Sequence, residues 1–322
     1  MRRPLATYVT GFFFVLAASL PAAAGLLVGD RTGDSILRYD DATGAFVGVF
    51  VASGSGGLNT PQGMALGPDG NLYVSSQSTA QILRYDGTTG AFLGVFVDAG
   101  TGGLSLPFDI VFDGAGDLLV ANSSTSEILR FDGVTGAFVD VFASGGVPGL
   151  NTPRGLATDG LSLFTSAEGD RIYQFDATDG SFIASFGGND NPRAMTFGPD
   201  GNLYYTQNVS DNVVRRDGVT GAVIGEFVSH QSGGLGSSLG LAFGPDGSLY
   251  VGNRGDGNVL RFDGTTGAFI DAFVSSGSGG LGEPGALLFT KDPTPVPEPG
   301  GALLFSAGLV ALLASVRRSV GG

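Results

Sequence analysis

Between residues 26 and 290 the chain repeats one pattern of apolar and polar positions. Short runs rich in Val, Ile, Leu, Phe and Tyr alternate with turns built from Gly, Asp, Pro and Thr. Their length and β-branched content predict strands rather than helices. Residues 61–97 carry one complete unit: a first strand over 63–66, the turn Pro68-Asp69-Gly70, and a second strand over 71–74. A third strand over 82–85, the turn Asp86-Gly87-Thr88-Thr89-Gly90 and a fourth strand over 91–97 complete it. Proline presets the turn angle, and glycine accepts a positive φ without a Cβ clash. Apolar residues occupy both faces of the runs, as in a sheet packed between two neighbours.

The third strand shows the periodicity best. Ile-Leu-Arg-Tyr-Asp starts at Ile36 and again at Ile82, Ile-Leu-Arg-Phe-Asp at Ile128, and Ile-Tyr-Gln-Phe-Asp at Ile172. Val-Val-Arg-Arg-Asp at Val213 and Val-Leu-Arg-Phe-Asp at Val259 complete six copies. Their aspartates, Asp40, Asp86, Asp132, Asp176, Asp217 and Asp263, are spaced by 46, 46, 44, 41 and 46 residues. Four strands per period of about 45 residues is the signature of a propeller blade. The ends explain how the count closes. Residues 26–28, 36–39 and 46–51 supply second, third and fourth strands with no first, and residues 285–290 supply a first strand with no second. The fold class is therefore all-β: a six-bladed β-propeller over 25–290 whose N- and C-terminal strands share one blade.

The stretch Pro-x-Gly-x-Ala-x-Gly-Pro-Asp-Gly-Asn-Leu-Tyr-Val over 61–74, with a related form over 192–205, is similar to propellers of the NHL and streptogramin-lyase-like type. That resemblance implies a six-bladed ring and leaves function open, since such rings host enzymes, scaffolds and binders.

Both termini read as addresses. Met1-Arg2-Arg3, an apolar run over 8–20 and Pro21-Ala22-Ala23-Ala24 form the three parts of a secretory signal peptide over 1–24. At the other end a Pro-rich spacer over 291–299 contains Val296-Pro297-Glu298-Pro299. An uncharged stretch over 300–316 follows, long enough for a short transmembrane helix, and then Arg317-Arg318. This order resembles the PEP-CTERM sorting signal of Gram-negative bacteria over 296–322. The resemblance implies transient anchoring in the inner membrane and recognition by an exosortase-type protease that cuts near Pro-Glu-Pro. The protein would then reach the cell envelope or extracellular matrix.

Composition removes several chemistries. With no Cys and one His, disulfide scaffolds, thiol catalysis and Cys-based zinc sites are out. The net charge is −14, and Arg2, Arg3, Arg317 and Arg318 lie in the terminal segments, so the body is more acidic still. That excludes a nucleic-acid partner. The repeated aspartates read as turn-forming groups bonded to nearby amides rather than as calcium ligands. Repeated Arg38, Arg84, Arg130 and Arg261 read as packing stems and ion-pair partners.

Function is sought where copies differ at one height. After the second strand the series reads Asp30, Ser76, Asn122, Ala167, Gln207 and Asn253. At the start of the first strand it reads Gln62, Phe108 with Asp109 beside it, Arg154, Arg193, Leu239 and Gly285. Arg154 and Arg193, in adjacent blades beside the central channel, suit a carboxylate or sulfate. The expected ligand-binding set is Gln62, Asp109, Arg154, Arg193, Asn122 and Asn253, with no catalytic residue and no cofactor. Streptogramin-lyase-like propellers imply a catalytic histidine, but the sole histidine, His230, lies in the link over 229–238 with no second histidine to assist it. Gluconolactonase-like propellers imply a channel metal, for which Asp30, Asn122 and Asn253 are candidates without a glutamate. The reading is a non-enzymatic surface or matrix module that binds polysaccharide or protein. The alternative is a metal-dependent hydrolase or lyase. The Gly/Ser-rich links over 52–60, 98–106 and 275–282 are expected to be mobile.

Overall fold

The computed structural model describes residues 24–290 apart from 145–148, 170 and 188–190. Apart from Ala24, the expected signal peptide, spacer, Pro-Glu-Pro motif, membrane helix and basic tail lie outside the described residues. Among the described residues no helix is long and apolar enough to cross a membrane.

The repeat folds as six four-stranded antiparallel sheets, and within each the strands follow one another in space. The inner strands are Pro284–Thr290, Pro61–Leu66, Pro107–Phe112, Pro153–Thr158, Pro192–Phe197 and Ser238–Phe243. They are numbered here as blades one to six in that order. Neighbouring inner strands touch all the way round, including the contact between blades six and one. The ring closes as the sequence requires. Gly25–Asp30 pairs with Pro284–Thr290, placing Leu26 opposite Phe289 and Val28 opposite Leu287. The chain is therefore a six-bladed β-propeller.

Blades pack through the apolar residues on both sheet faces. Tyr73 of blade two meets Phe96 of its own outer strand and Phe112 of blade three edge-on, at 4.7 and 5.0 Å between centroids. Tyr204 and Tyr250 repeat the arrangement with Phe243 and Phe289 of the following blades. Each of these three tyrosines satisfies its hydroxyl on the aspartate of a Pro-Asp-Gly turn: Tyr73 on Asp69, Tyr204 on Asp200 and Tyr250 on Asp246, at 2.9–3.0 Å.

The aspartates after the third strands form the turns read from the sequence. Asp86 Oδ1 accepts from the Thr88 and Thr89 amides and from Thr89 Oγ1 at 2.7–3.0 Å. Asp40, Asp132, Asp217 and Asp263 do the same. The arginine stems also pack as expected. Arg130 and Arg261 pair with Asp140 and Asp271 of their outer strands, while Arg38 and Arg84 lie over Phe50 and Phe96.

The Gly/Ser-rich links differ from expectation. Each of the links over 52–60, 98–106 and 275–282 contains one 3-10 turn, Ser55–Gly57, Thr101–Gly103 or Ser278–Gly280, followed by a buried leucine. Those leucines are Leu58, Leu104 and Leu281, and tyrosine hydroxyls add further ties from Tyr85 to the Ser55 carbonyl and from Tyr39 to that of Ser278. Glycine serves here to reach positive φ in a fixed turn rather than to supply slack.

Candidate functional site

The six inner strands enclose a central cavity of about 160 Å³. Five of the six strands begin Pro/Ser-x-small-apolar and that of blade three begins Pro107-Phe108-Asp109-Ile110, and a register shift against the second strand lies between the first and fourth residues in blades two to five, Pro153 and Leu156 for example. Such a shift takes the intervening residues out of the ladder and re-aims their side chains. The second position therefore supplies the rim of the cavity: Gln62, Phe108, Arg154, Arg193 and Leu239. The fourth position supplies a ring of Met64, Ile110, Leu156, Met195, Leu241 and Leu287, below which only Val111 continues the lining. The result is a cavity with a polar rim and a ring of apolar side chains as its floor.

In five of the blades the third position is Gly or Ala, because the next blade crosses there. A Cβ on Gly155 would stand 2.1 Å from the Arg193 carbonyl oxygen. A hydroxyl of the second strand stitches this crossing: Ser166 Oγ accepts from the Gly155 amide and donates to the Arg193 carbonyl, at 2.8 and 2.7 Å. Ser75 does the same between Gly63 and Phe108. Blade three has Ala121 at the equivalent position and cannot. There Asp109 takes the small residue's place, and its carboxylate accepts from the Leu156 amide of blade four and from the Ile110 amide, both at 2.9 Å. Burial pushes the Asp109 carboxyl up to about 6, against the pull of those two amides.

Arg154 is nearly buried, pairs with Glu168 and stands over the Phe108 ring at 5.6 Å. Its pKa is lowered to about 10 by burial and by the charge of Arg193. Arg193 lines the same cavity and has no ion-pair partner among the described residues, and its Nε is buried without a hydrogen bond. Burial lowers its pKa, and Arg31 and Arg254 lower it further. Those two arginines flank Glu283, each 3.1 Å from its carboxylate. Gln62 is tied to the same group: turned so that its oxygen faces Arg31, its amide accepts from Nη2 at 2.9 Å. Four guanidinium groups thus gather at one mouth with two glutamates between them.

Gln62, Asp109, Arg154 and Arg193 are brought together as the sequence suggests; Asn122 and Asn253 are not. Both are fully buried. Asn122 accepts from the Ser105 amide and donates to the Gly103 carbonyl and Thr125 Oγ1. Asn253 treats Gly236, Gly234 and Asn258 alike. Asp30 accepts from the amides of Thr32, Gly282 and Glu283. These side chains pin the links between blades. Their oxygens are already taken by backbone N–H groups, so Asp30, Asn122 and Asn253 do not fit a metal. Among the described residues no group of three or more His, Cys, Asp or Glu is placed to hold one. His230 is exposed, with Nδ1 2.5 Å from the Ser210 carbonyl oxygen and away from the cavity lining.

What the sequence missed lies one residue further along. Arg31, Glu168 and Arg254 directly follow the second strands, and Glu283 precedes an inner strand. Side chains alternate along a strand, so the series Asp30, Asn122, Asn253 turns into the blade while the next residue turns to the mouth.

No protein-family model matches the sequence, nor does any curated protein sequence. Solved structures do match. A chain of a nidogen/laminin complex superposes with TM-score 0.67 at 16% identity, over 83% of this chain and 98% of that one. A streptogramin B lyase gives 0.53 at 18%, over 86% and 76%. A catalytically inactive variant of virginiamycin B lyase from Staphylococcus aureus, with quinupristin, gives 0.52 at 16%, over 73% and 71%. These likenesses show the fold alone.

Proposed function

We propose that this chain is an exported cell-surface or matrix propeller that binds, without catalysis, an acidic group of a polysaccharide or protein partner at the mouth of its central cavity. The observation that carries the reading is Arg193. A guanidinium that is largely withdrawn from water normally faces a carboxylate, and among the described residues this one faces a cavity and another guanidinium. An incoming carboxylate or sulfate would satisfy Arg193 and relieve its repulsion with Arg154. The wider surface is acidic, so the mouth is a local exception that favours an anion there.

Several features favour binding over turnover. The only histidine is exposed in a link, and the candidate metal ligands spend their oxygens on backbone amides. Export rests on the signal-peptide pattern over 1–24. Sorting rests on Val296-Pro297-Glu298-Pro299 with Arg317-Arg318, through which an exosortase-type protease would release the protein from the inner membrane.

The test is titration of the full-length chain against acidic and neutral oligosaccharides and acidic peptides. Acidic probes are expected to bind, and Arg154→Ala with Arg193→Ala is expected to weaken them by at least about tenfold, the loss of one charge-assisted contact. Unchanged affinities in the double variant would remove the site.

A further inference from the structure

The rim and the floor of the central cavity favour opposite halves of one ligand. At the rim stand Arg154 and Arg193, the latter without an ion-pair partner among the described residues. The floor side chains, Met64, Ile110, Leu156, Met195, Leu241 and Leu287, contain no hydrogen-bonding group able to replace water. A sugar body pressed onto them would lose the hydration of its hydroxyls without exchange. An apolar body would gain from the same contact. Size narrows the choice further. At about 160 Å³ the cavity is smaller than the pockets of roughly 300–1,000 Å³ that enclose drug-sized ligands. It admits one small residue rather than a length of polymer.

Topology adds a condition. The lining reaches from the second to the fourth position of the inner strands and, except at Val111, no deeper, a depth that fits one residue. A terminus or a pendant group fits that depth. Each inner strand is also the last strand of its sheet, with a ladder on one side only. At the cavity its other edge is largely spent on the ring, the Leu156 amide on Asp109 and the Arg193 carbonyl on Ser166, so recognition there falls to side chains.

We infer that the cavity takes the C-terminal residue of a polypeptide ending in an apolar side chain, with the carboxylate between Arg154 and Arg193 and the side chain on the Met64–Leu287 floor. This rests on the anion-binding reading above and names its partner class. The same residue would reach the guanidinium groups with its terminal charge and the floor with its side chain. An internal uronate of a polysaccharide offers the charge without the apolar body.

The experiment compares four probes on the full-length chain by calorimetry: N-acetyl-Ala-Ala-Leu as free acid, its C-terminal amide, N-acetyl-Ala-Ala-Ser as free acid, and trigalacturonate. The leucine-ended acid is expected to bind tightest, with the amide and the serine-ended acid each weaker by about tenfold or more. Arg193→Gln is expected to abolish the advantage of acid over amide, and Met195→Gln the advantage of leucine over serine. Equal or tighter binding of the serine-ended acid or of trigalacturonate would overturn this inference while leaving the acidic-ligand reading intact. Failure of every acid to bind would overturn both.

Discussion

Asp109 shows how one residue can serve the ring and the site at once. Its carboxylate replaces the hydroxyl that Ala121 lacks, joining blade three to blade four through the Leu156 amide, and it lines the cavity beneath the arginines. Its folded value of about 6 lies above the ordinary carboxylate value of about 4. A raised value means the folded state holds the proton more tightly, so this group's stabilisation is present at low pH and lost as pH rises through about 6. The turn aspartates act in the other direction. Asp86 is held below its ordinary value by the Thr89 amide and hydroxyl, so its contribution is present at neutral pH and fades on acidification. Asp109→Asn should therefore gain stability relative to the parent when urea unfolding is moved from pH 4.5 to pH 7. A difference between parent and variant that stays constant across that range would refute the assignment. Anion binding should follow the same group, because ionised Asp109 adds negative charge to a cavity that accepts it.

At the level of the element, the sequence revealed the strands, the Asp-Gly-x-Thr-Gly turns and the period, because each rests on local chemistry repeated six times. It also singled out Gln62, Arg154 and Arg193 by asking where the copies disagree. The same question misled at the end of the second strand. Asp30, Asn122 and Asn253 vary between blades not because they meet a ligand but because each link needs its own peg. Ser76 does the same work through Oγ, accepting from the Asn59 amide and donating to the Gly57 carbonyl. Register at one-residue precision cannot be read from composition, and one residue decides which way a strand side chain points. The links escape a sequence reading for a related reason: Gly and Ser signal flexibility or a tight fixed turn equally, and the buried leucine that follows decides between them. Asn122→Ala is expected to cost about 1–3 kcal/mol by leaving the buried Ser105 amide and Gly103 carbonyl unpaired. Val49→Thr, on the exposed outer edge of blade one, is expected to stay within about 0.5 kcal/mol. Chemical denaturation of the two variants separates a peg from a ligand contact, since a residue reserved for a ligand would show little loss without it.

At the scale of the molecule, the site exists only because the ring closes. The cavity floor draws one residue from every inner strand, and Leu287 comes from the last of them. Glu283, which holds Arg31 and Arg254 at the mouth, immediately precedes that strand. Closure depends on Pro284–Thr290 pairing with Gly25–Asp30, a contact between residues more than 250 positions apart, and on the aromatic contact of Phe289 with Tyr250. Such a contact cannot form until most of the chain is in place, so it couples the folding of the ends to that of all six blades. Ending the chain after Thr290 should leave the ring whole and, on the sorting reading, free of its membrane anchor. Ending it after Glu283 removes the inner strand of blade one, exposes the edge of Gly25–Asp30, and uncovers Val28 and Tyr250. The shorter chain is expected to lose its single cooperative unfolding transition and to associate through the exposed edge, as unpaired strands do. Circular dichroism melting and sedimentation of the two truncated chains would show this. A chain ending at Glu283 that melts as sharply as one ending at Thr290 and stays monomeric would mean that the ring does not depend on its terminal strand, and that the cavity has some other floor.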